Sequence, residues 1–217
     1  MYSYIFKIFL TISVFVSLWQ FILNCAFEYI FARFSINSVS SSSLKLNAIG
    51  LFLLILIGMM GSGKSTIGAL ISKKLNIKFI DIDNVLENDS KMKIAEIFEK
   101  KGENFFRNLE KKITLKLLNS TNNVVSLGGG SFINEKIRKE VLKNNFSFWL
   151  NCSPQTLLNR IKKNKKRPIA FNLSDSELNK LIVKRAKIYS KAQFKINCHK
   201  LTKIEIVEKI LKVYDHN

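Results

Sequence analysis

Hydrophobic and polar positions divide the chain into three parts. Residues 1–34 are overwhelmingly apolar and aromatic, and residues 35–50 are rich in serine. From Leu51 onward, short apolar runs alternate with segments in which apolar residues recur every three or four positions. The short runs are typical of strands buried in a parallel sheet, and the wider spacing is typical of amphipathic helices. The pattern predicts one α/β domain over residues 51–217.

The apolar leader, residues 1–34, has three interpretations. Its uncharged core from Ile8 to Leu23 spans only ~24 Å as a helix, and continuation to Phe27 brings it close to the ~30 Å of a bilayer core. It fits a signal anchor, an organellar targeting region, or translated sequence upstream of the true start. The serine-rich residues 35–50 are predicted to be a flexible linker. Membrane contact is expected only if the leader is retained.

A glycine-rich loop follows the first apolar run of the domain. The run "LFLLILI", residues 51–57, predicts a buried strand and leads into "GMMGSGKST", residues 58–66, which matches the phosphate-loop pattern G-x-x-x-x-G-K-[ST]. Backbone N–H groups and a helix start near Lys64 suit this loop to phosphate binding, with Lys64 at the β- and γ-phosphates and Ser65 on Mg²⁺. The predicted nucleotide-binding residues of the loop are Gly61, Ser62, Gly63, Lys64, Ser65 and Thr66.

The remaining length and the missing motifs indicate a small-molecule kinase. Motor and switch proteins with a phosphate loop need a longer chain or a base-reading motif. About 150 residues follow the loop, and no N-K-x-D guanine signature is present. A kinase that acts on a small molecule is therefore the most economical class.

Two aspartates accompany the next apolar run, "KFIDIDNVLE", residues 78–87. A period of two places Asp81 and Asp83 on one side at the carboxyl end of a predicted strand, where open α/β sheets bind ligands. One carboxylate would organise Mg²⁺-bound water, and the other would orient a substrate hydroxyl. The alternative is that an aspartate is the N-cap of a helix beginning near Asn84. This would account for one of the two aspartates but not for both.

A helical apolar pattern occupies residues 94–117, with a break at Gly102. Arg107 and Glu110 are three positions apart, so they can pair on this helix. From composition alone, the pair would be an ordinary surface ion pair.

Three consecutive glycines, Gly128, Gly129 and Gly130, end the apolar run "VVSLGGGSF", residues 124–132. Such a triplet suits a place where the backbone turns sharply or approaches another group closely. A second phosphate cradle and a bare surface for a small substrate are the two interpretations.

The formal net charge of +19 is large, but the lysines are spread through nearly every predicted helix. The dense basic run Arg160–Pro168 has no interleaved aromatic residues. Nucleic acid is therefore not expected as a partner.

The three cysteines are Cys25, Cys152 and Cys198. Their odd number and wide separation favour a reducing compartment over a disulfide framework. Cys152 and Cys198 follow predicted strands, and we interpret them as small packed residues.

Taken together, residues 58–66, "FIDID", "IAEIFEKKGENFFRNLE" and "VVSLGGG" resemble the shikimate kinase family. The resemblance covers residues 51–213 and lies in the ordered series of motifs. It implies a three-layer α/β/α fold with a five-stranded parallel sheet, helices on both faces and a mobile lid at about residues 162–174. It also implies ATP-dependent phosphorylation of the 3-hydroxyl of shikimate in aromatic amino acid biosynthesis. The implied protein is a monomeric, cytoplasmic kinase domain with ATP as co-substrate and Mg²⁺ as cofactor.

The resemblance also implies roles for particular residues. Asp83 would bind shikimate hydroxyls and act as the base, and Asp81 would lie beside Mg²⁺ without binding it directly. Arg107 would grip the shikimate carboxylate, a task suited to a planar guanidinium, while Glu110 fixes its rotamer. The backbone of Gly128–Gly130 would line the shikimate pocket.

The remaining implied roles belong to basic residues nearer the C-terminus. Arg167, in an Arg-Pro-Ile segment where the family has Arg-Pro-Leu, would swing over ATP and stabilise charge during transfer. Arg160 would lie against adenine, and Arg185 would bind the shikimate carboxylate. Lys187 replaces the family's usual proline. Lys203 stands near adenine where the family often has a proline or a small polar residue, which leaves the adenine contacts open.

Two other functions stay open at the level of the sequence. A kinase of the gluconate kinase type would share the phosphate loop, but the combination of two aspartates, Arg107 and three glycines favours shikimate. A membrane-tethered inactive kinase-like protein would be expected to lack Lys64, Asp83 or Arg167, and all three are present.

Overall fold

The computed structural model describes residues 52–120, 122–163 and 173–215. Five strands lie within these ranges: β1 Leu54–Ile57, β2 Lys78–Asp81, β3 Asn123–Ser126, β4 Phe146–Asn151 and β5 Phe194–Asn197. The α-helices are α1 Lys64–Leu75, α2 Ile82–Ser90, α3 Ile94–Leu117, α4 Glu135–Asn144, α5 Pro154–Lys163, α6 Asp175–Tyr189 and α7 Lys203–Asp215. A 3₁₀ turn spans Ser131–Ile133. The predicted leader, the linker, and the lid over residues 164–172 with Arg167 lie outside the described residues.

All five strands are parallel and lie in the order β2-β3-β1-β4-β5. The central strand β1 pairs with β3 on one side and β4 on the other, so Leu56 lies between Ser126 and Phe148. The connection after β1 runs towards β2 at one edge of the sheet, and the connection after β3 runs towards β4 on the other side. A crevice therefore opens between the two connections, at the carboxyl ends of the strands. The five-stranded parallel sheet confirms the predicted fold class.

Apolar side chains cover both faces of this sheet. Leu53, Ile55 and Ile57 pack into one buried cluster together with residues of α2 to α6. Leu54 and Leu56 face the other way and pack with residues of α1 and α7. Burial on both faces explains why the β1 sequence is continuously apolar. Because all five strands are parallel, every loop that follows a β-strand lies at the same end of the sheet.

Some predicted boundaries differ from the observed ones. β1 begins at Leu54, so the strand has four residues. β2 ends at Asp81, and Asp83 lies in the first turn of α2, which begins at Ile82 and not near Asn84. The prediction that one strand carries both aspartates is therefore wrong. The Asp81 carboxylate accepts a hydrogen bond from the backbone N–H of Asp83 at 3.1 Å, and this N-cap starts the helix.

The long helix α3 contains the predicted break. Gly102 has φ 79° and ψ 168°, which interrupts the helical geometry at a conformation that favours glycine. Helix α3 has 24 residues, yet neither it nor any other helix within the described ranges is long and apolar enough to cross a bilayer.

Candidate functional site

The phosphate loop joins β1 to α1 at the crevice. Gly61 and Gly63 have φ 79° and 93°, so both positions need the left-handed backbone that glycine adopts without strain. Gly63 is the N-cap of α1, and Lys64, the first residue of the helix, is buried. The Lys64 ammonium donates to the carbonyl oxygens of Gly58 and Met59 at 2.9 and 3.1 Å. A lysine, a helix N-terminus and turned backbone thus meet in one anion-binding loop.

Ser65 and Asp81 bring two oxygens together beside this loop. The Ser65 hydroxyl donates to Oδ2 of Asp81 at 2.5 Å, while Oδ1 of Asp81 accepts from the backbone of Asp83. Hydroxyl and carboxylate oxygens are the hard ligands that Mg²⁺ prefers, directly or through water. The chemistry of this pair therefore fits a magnesium ion at the edge of the phosphate loop.

A cavity, here called the loop cavity, extends from the phosphate loop towards α5 and α7. Its lining includes the loop residues Gly61 to Thr66 together with Arg160, Leu201, Lys203 and Ile206. The Arg160 guanidinium donates to the carbonyl oxygen of Gly61 at 3.2 Å, which fixes α5 against the loop. Lys203 also lines this cavity.

A second, smaller pocket, here called the inner pocket, lies beside the phosphate loop. Two carboxylates, from Asp83 and Glu110, and two guanidinium groups, from Arg107 and Arg185, supply its charged groups. Gly129 and Gly130 supply backbone, and the other lining residues are Met60, Ile94, Phe98 and Phe106. Met60 also lines the loop cavity, so the two spaces share a wall. Two acids and two guanidinium groups thus lie next to the phosphate loop.

The Arg107 side chain is held from several directions. Its Nη1 donates to Oε2 of Glu110 at 2.8 Å, and its Nε and Nη2 donate to Oε1 of Glu103 at 3.2 and 3.1 Å. The guanidinium carbon lies 5.1 Å from the ring centre of Phe106, within cation–π range. The predicted pairing of Arg107 with Glu110 is confirmed, but it is not an ordinary surface pair, because the Glu110 side chain is only 4% exposed.

Ser131 supplies a further contact to the buried Glu110 carboxylate. Its hydroxyl donates to Oε1 of Glu110 at 2.7 Å, and Ser131 itself is fully buried. Each Glu110 oxygen therefore has a donor, one from Ser131 and one from Arg107. A buried carboxylate needs such donors, since it has left water.

Removal of the Ser131 hydroxyl is expected to destabilise the domain. We expect Ser131→Ala to lower the free energy of unfolding by about 1–3 kcal/mol, because a buried carboxylate oxygen loses its donor. Urea unfolding followed by circular dichroism measures the change. Ser190→Ala removes an exposed hydroxyl that bonds the Lys187 carbonyl, and this control should stay within about 0.5 kcal/mol of the parent. Equal losses in the two variants would contradict the role of Ser131.

The three glycines of the triplet meet different neighbours. A Cβ on Gly128 would lie 2.6 Å from Oε1 of Glu110, and a Cβ on Gly130 would overlap the Arg107 guanidinium. A Cβ on Gly129 would find its nearest atoms at 3.5 Å, an ordinary contact distance. Gly128 and Gly130 therefore make room for the Arg107–Glu110 pair, while Gly129 presents backbone to the inner pocket.

Tyr189 fixes the middle of the triplet. Its hydroxyl donates to the carbonyl oxygen of Gly129, and the side chain is buried. Burial raises the pKa of Tyr189 to about 12, so the phenol keeps its proton and remains a donor at neutral pH. Arg185, one turn earlier on α6, lies beside Met59 and Gly129, with Nη1 at 3.8 Å from the Met59 sulfur.

The structure therefore brings the predicted residues together in two adjoining spaces. The loop cavity contains Gly61–Thr66 and Arg160, and the inner pocket contains Asp83, Arg107, Gly129, Gly130 and Arg185. Asp81 lies against Ser65, and Gly128 lies behind the inner pocket against Glu110.

Some of the contacts were missed from the sequence. Glu103 is one helical turn before Arg107, so its spacing could have identified it. The contacts of Arg107 with the rings of Phe98 and Phe106 were not predicted. No local pattern connects Ser131 with Glu110, because they belong to separate elements.

Comparison with known proteins identifies the family. The family model for shikimate kinase matches residues 60–215. Shikimate kinases of a Sulfurihydrogenibium species and of Bacillus subtilis are each 42% identical to this chain, over 72% and 73% of it and over 93% and 87% of their own lengths. A solved shikimate kinase from Acinetobacter baumannii in complex with shikimate aligns with a TM-score of 0.73 at 27% identity, over 77% of this chain and 96% of that one. For the enzyme from Aquifex aeolicus, the TM-score is 0.67 at 37% identity, over 74% and 95%. This chain belongs to the shikimate kinase family.

Proposed function

We propose that this chain catalyses transfer of the γ-phosphoryl group of ATP to the 3-hydroxyl of shikimate, which forms shikimate 3-phosphate on the route to chorismate and aromatic amino acids. Besides family membership, one structural observation supports this proposal. Met60, within the phosphate loop, lines both a phosphate-binding cavity and a pocket that contains two acids, Asp83 and Glu110, and two guanidinium groups. Such an arrangement suits a small hydroxylated carboxylic acid placed next to a nucleotide.

The phosphate loop would bind the nucleotide. Backbone N–H groups of Gly61 and Gly63 and the N-terminus of α1 face the phosphates, and the Lys64 ammonium leaves its carbonyl partners for the β- and γ-phosphates. Arg160, already attached to the loop through Gly61, would lie against adenine. Arg167 would approach the transferred group from the lid. Ser65, with Asp81 behind it, would hold the Mg²⁺ that neutralises phosphate charge.

The inner pocket would bind shikimate. Arg107 and Arg185 present guanidinium groups to its carboxylate, and Arg107 is preorganised because Glu110 and Glu103 already fix its orientation. Asp83 would accept hydrogen bonds from the ring hydroxyls and take the proton of the attacking one. Gly129 and Gly130 would form a flat backbone wall without side chains.

Transfer would then follow from position and charge. Phosphoryl transfer passes through a loose transition state, so the protein mainly aligns the two reactants and neutralises developing charge. Asp83 on one side and Lys64 on the other would align the hydroxyl with the γ-phosphate where the two spaces adjoin near Met60. Alignment of this kind contributes several kcal/mol to catalysis, about 7 or more in favourable cases.

The proposed function is tested with the full chain. ADP release is measured with ATP and Mg²⁺ in the presence of shikimate, gluconate or a nucleoside monophosphate. We expect shikimate alone to stimulate ADP release strongly. Turnover with gluconate or a nucleoside monophosphate and none with shikimate would overturn the proposal.

Alanine substitution within the triplet is expected to act on shikimate and not on ATP. Gly130→Ala should raise the KM for shikimate about tenfold or more, because its Cβ displaces the Arg107 guanidinium and weakens a charge-assisted contact. The KM for ATP should change little.

Gly129→Ala is the matched control at the neighbouring position. Its Cβ has only ordinary contacts, so it should raise the KM for shikimate less than Gly130→Ala does. Initial rates at varied shikimate and varied ATP give both constants. The assignment of the triplet to shikimate fails if Gly130→Ala changes the two KM values equally.

A further inference from the structure

Two cysteines lie side by side where β4 and β5 end. Asn151 of β4 pairs with Asn197 of β5, and the backbone N–H of Cys198 donates to the carbonyl of Asn151 at 2.9 Å. Cys152 and Cys198 are therefore the next pair in the same parallel register, with side chains on the same side. Neighbouring strands are about 4.8 Å apart, which is within the roughly 4.4–6.8 Å between Cα atoms that a disulfide requires. Both thiols are free, and the Cys198 thiol donates to the carbonyl oxygen of Ile196 at 3.4 Å.

Cys152 also contacts the phosphate loop. Its thiol donates to the carbonyl oxygen of Ser62 at 3.6 Å. Ser62 lies between Gly61 and Gly63, the two glycines whose left-handed backbone shapes the loop. The state of the Cys152 sulfur therefore bears directly on the backbone that binds phosphate.

The surroundings of the pair favour a reactive thiolate at Cys152. The adjacent Cys198 thiol and the positive charges of Arg160 and Lys64 lower the pKa of Cys152 to about 7. Contact with Cys152 and burial raise the pKa of Cys198, so Cys198 keeps its proton. A low-pKa thiol next to a second cysteine in an electropositive site is typical of redox-sensitive cysteines.

We propose that Cys152 and Cys198 form a reversible disulfide that joins the ends of β4 and β5 and weakens ATP binding by the phosphate loop. The oxidant is a small disulfide such as oxidised glutathione. The Cys152 thiolate attacks one sulfur of the oxidant and releases one glutathione thiolate. Cys198 then loses its proton and attacks the Cys152 sulfur, which releases the second glutathione. Two protein thiols are oxidised, and one glutathione disulfide is reduced to two thiols.

The effect on ATP follows from the lost donor. The protonated fraction of reduced Cys152 donates to the Ser62 carbonyl, whereas oxidised Cys152 has no S–H group in any molecule, so oxidation removes this hydrogen bond and the loop backbone shifts. We expect the KM for ATP to rise about two- to tenfold, the change that loss of one hydrogen bond typically produces. The KM for shikimate should stay the same, because the hydrogen bonds of the two sulfurs go to Ser62 and Ile196, which do not line the inner pocket.

ATP should also protect the pair from oxidation. Phosphates bound beside Lys64 and Arg160 add negative charge where these cations now favour the thiolate. A smaller thiolate fraction reacts more slowly. Saturating ATP is therefore expected to slow disulfide formation.

The test uses the full chain with Cys25→Ser, so that only the two proposed thiols remain. After incubation with oxidised glutathione, we expect an intact mass lower by two hydrogens, no titratable thiols and a raised KM for ATP, all restored by dithiothreitol. The mass and the thiol count are independent of kinase activity, so they report on the pair even if the proposed substrate is wrong.

Cys198→Ser in the same background is the matched control. It should have the parent's KM for ATP before oxidation, and after incubation it should form only a glutathione adduct on Cys152. A persistent glutathione adduct or two unreacted thiols in the parent would overturn the disulfide. An unchanged KM for ATP after complete oxidation would overturn its effect on the loop.

Discussion

Replacement of Arg107 by alanine is expected to lower kcat/KM for shikimate by about 100- to 1000-fold. A guanidinium that donates two charge-assisted hydrogen bonds to a carboxylate contributes roughly 3–4 kcal/mol, and each 1.4 kcal/mol is a factor of ten. Most of the loss should appear in the KM for shikimate, since the carboxylate is remote from the transferred phosphoryl group. Initial rates at varied shikimate and saturating ATP measure both kcat and the KM for shikimate.

Two controls separate binding from folding in this prediction. Arg107→Lys keeps the charge but loses the planar fork, so its kcat/KM should fall between those of the parent and Arg107→Ala. Lys139→Ala removes an exposed cation that pairs with Glu135, and it should leave kcat/KM unchanged. If Arg107→Ala retains full activity with shikimate, the inner pocket does not bind the carboxylate as proposed.

The phosphate loop could be predicted from the sequence because its chemistry is contiguous. Nine consecutive residues, Gly58–Thr66, contain the glycines, the lysine and the hydroxyls, and the flanking apolar run and helix pattern fix their context. Each group acts through backbone geometry that neighbouring residues determine. The structure accordingly retains the strand, the loop and the helix start at Lys64.

The aspartates show where local periodicity was insufficient. Alternation predicted one strand with Asp81 and Asp83 on the same side, but the Asp81 carboxylate caps the next helix and ends the strand. Capping of the Asp83 backbone N–H competes with one more strand pairing, and here the cap prevails. The result separates the two acids: Asp81 faces Ser65, and Asp83 faces the inner pocket.

Only the pairing of Arg107 with Glu110 could be predicted, because the rest of the network behind that pair is non-local. Helix α3 supplies Arg107 and Glu110, the turn after β3 supplies Ser131, and α6 supplies Tyr189 for the Gly129 carbonyl. Only the packing of these elements decides that Gly128 and Gly130 need to lack a side chain while Gly129 has room. The same limit applies to Cys152 and Cys198, whose proximity depends on the register between β4 and β5.

Replacement of Asp83 by asparagine is expected to reduce kcat by about 100-fold or more, while the KM for shikimate changes much less. The amide keeps the size of the carboxylate and can still bond ring hydroxyls, but it cannot take the proton of the attacking hydroxyl, and a general base contributes typically 10²–10⁴ to the rate. Single-turnover measurement with both substrates saturating isolates this step from product release. Asp89→Asn, an exposed position on the same helix α2, makes the same chemical change outside the pocket and should leave kcat unaltered. A tenfold rise in the KM for shikimate with kcat preserved would assign Asp83 to binding and remove it as the base.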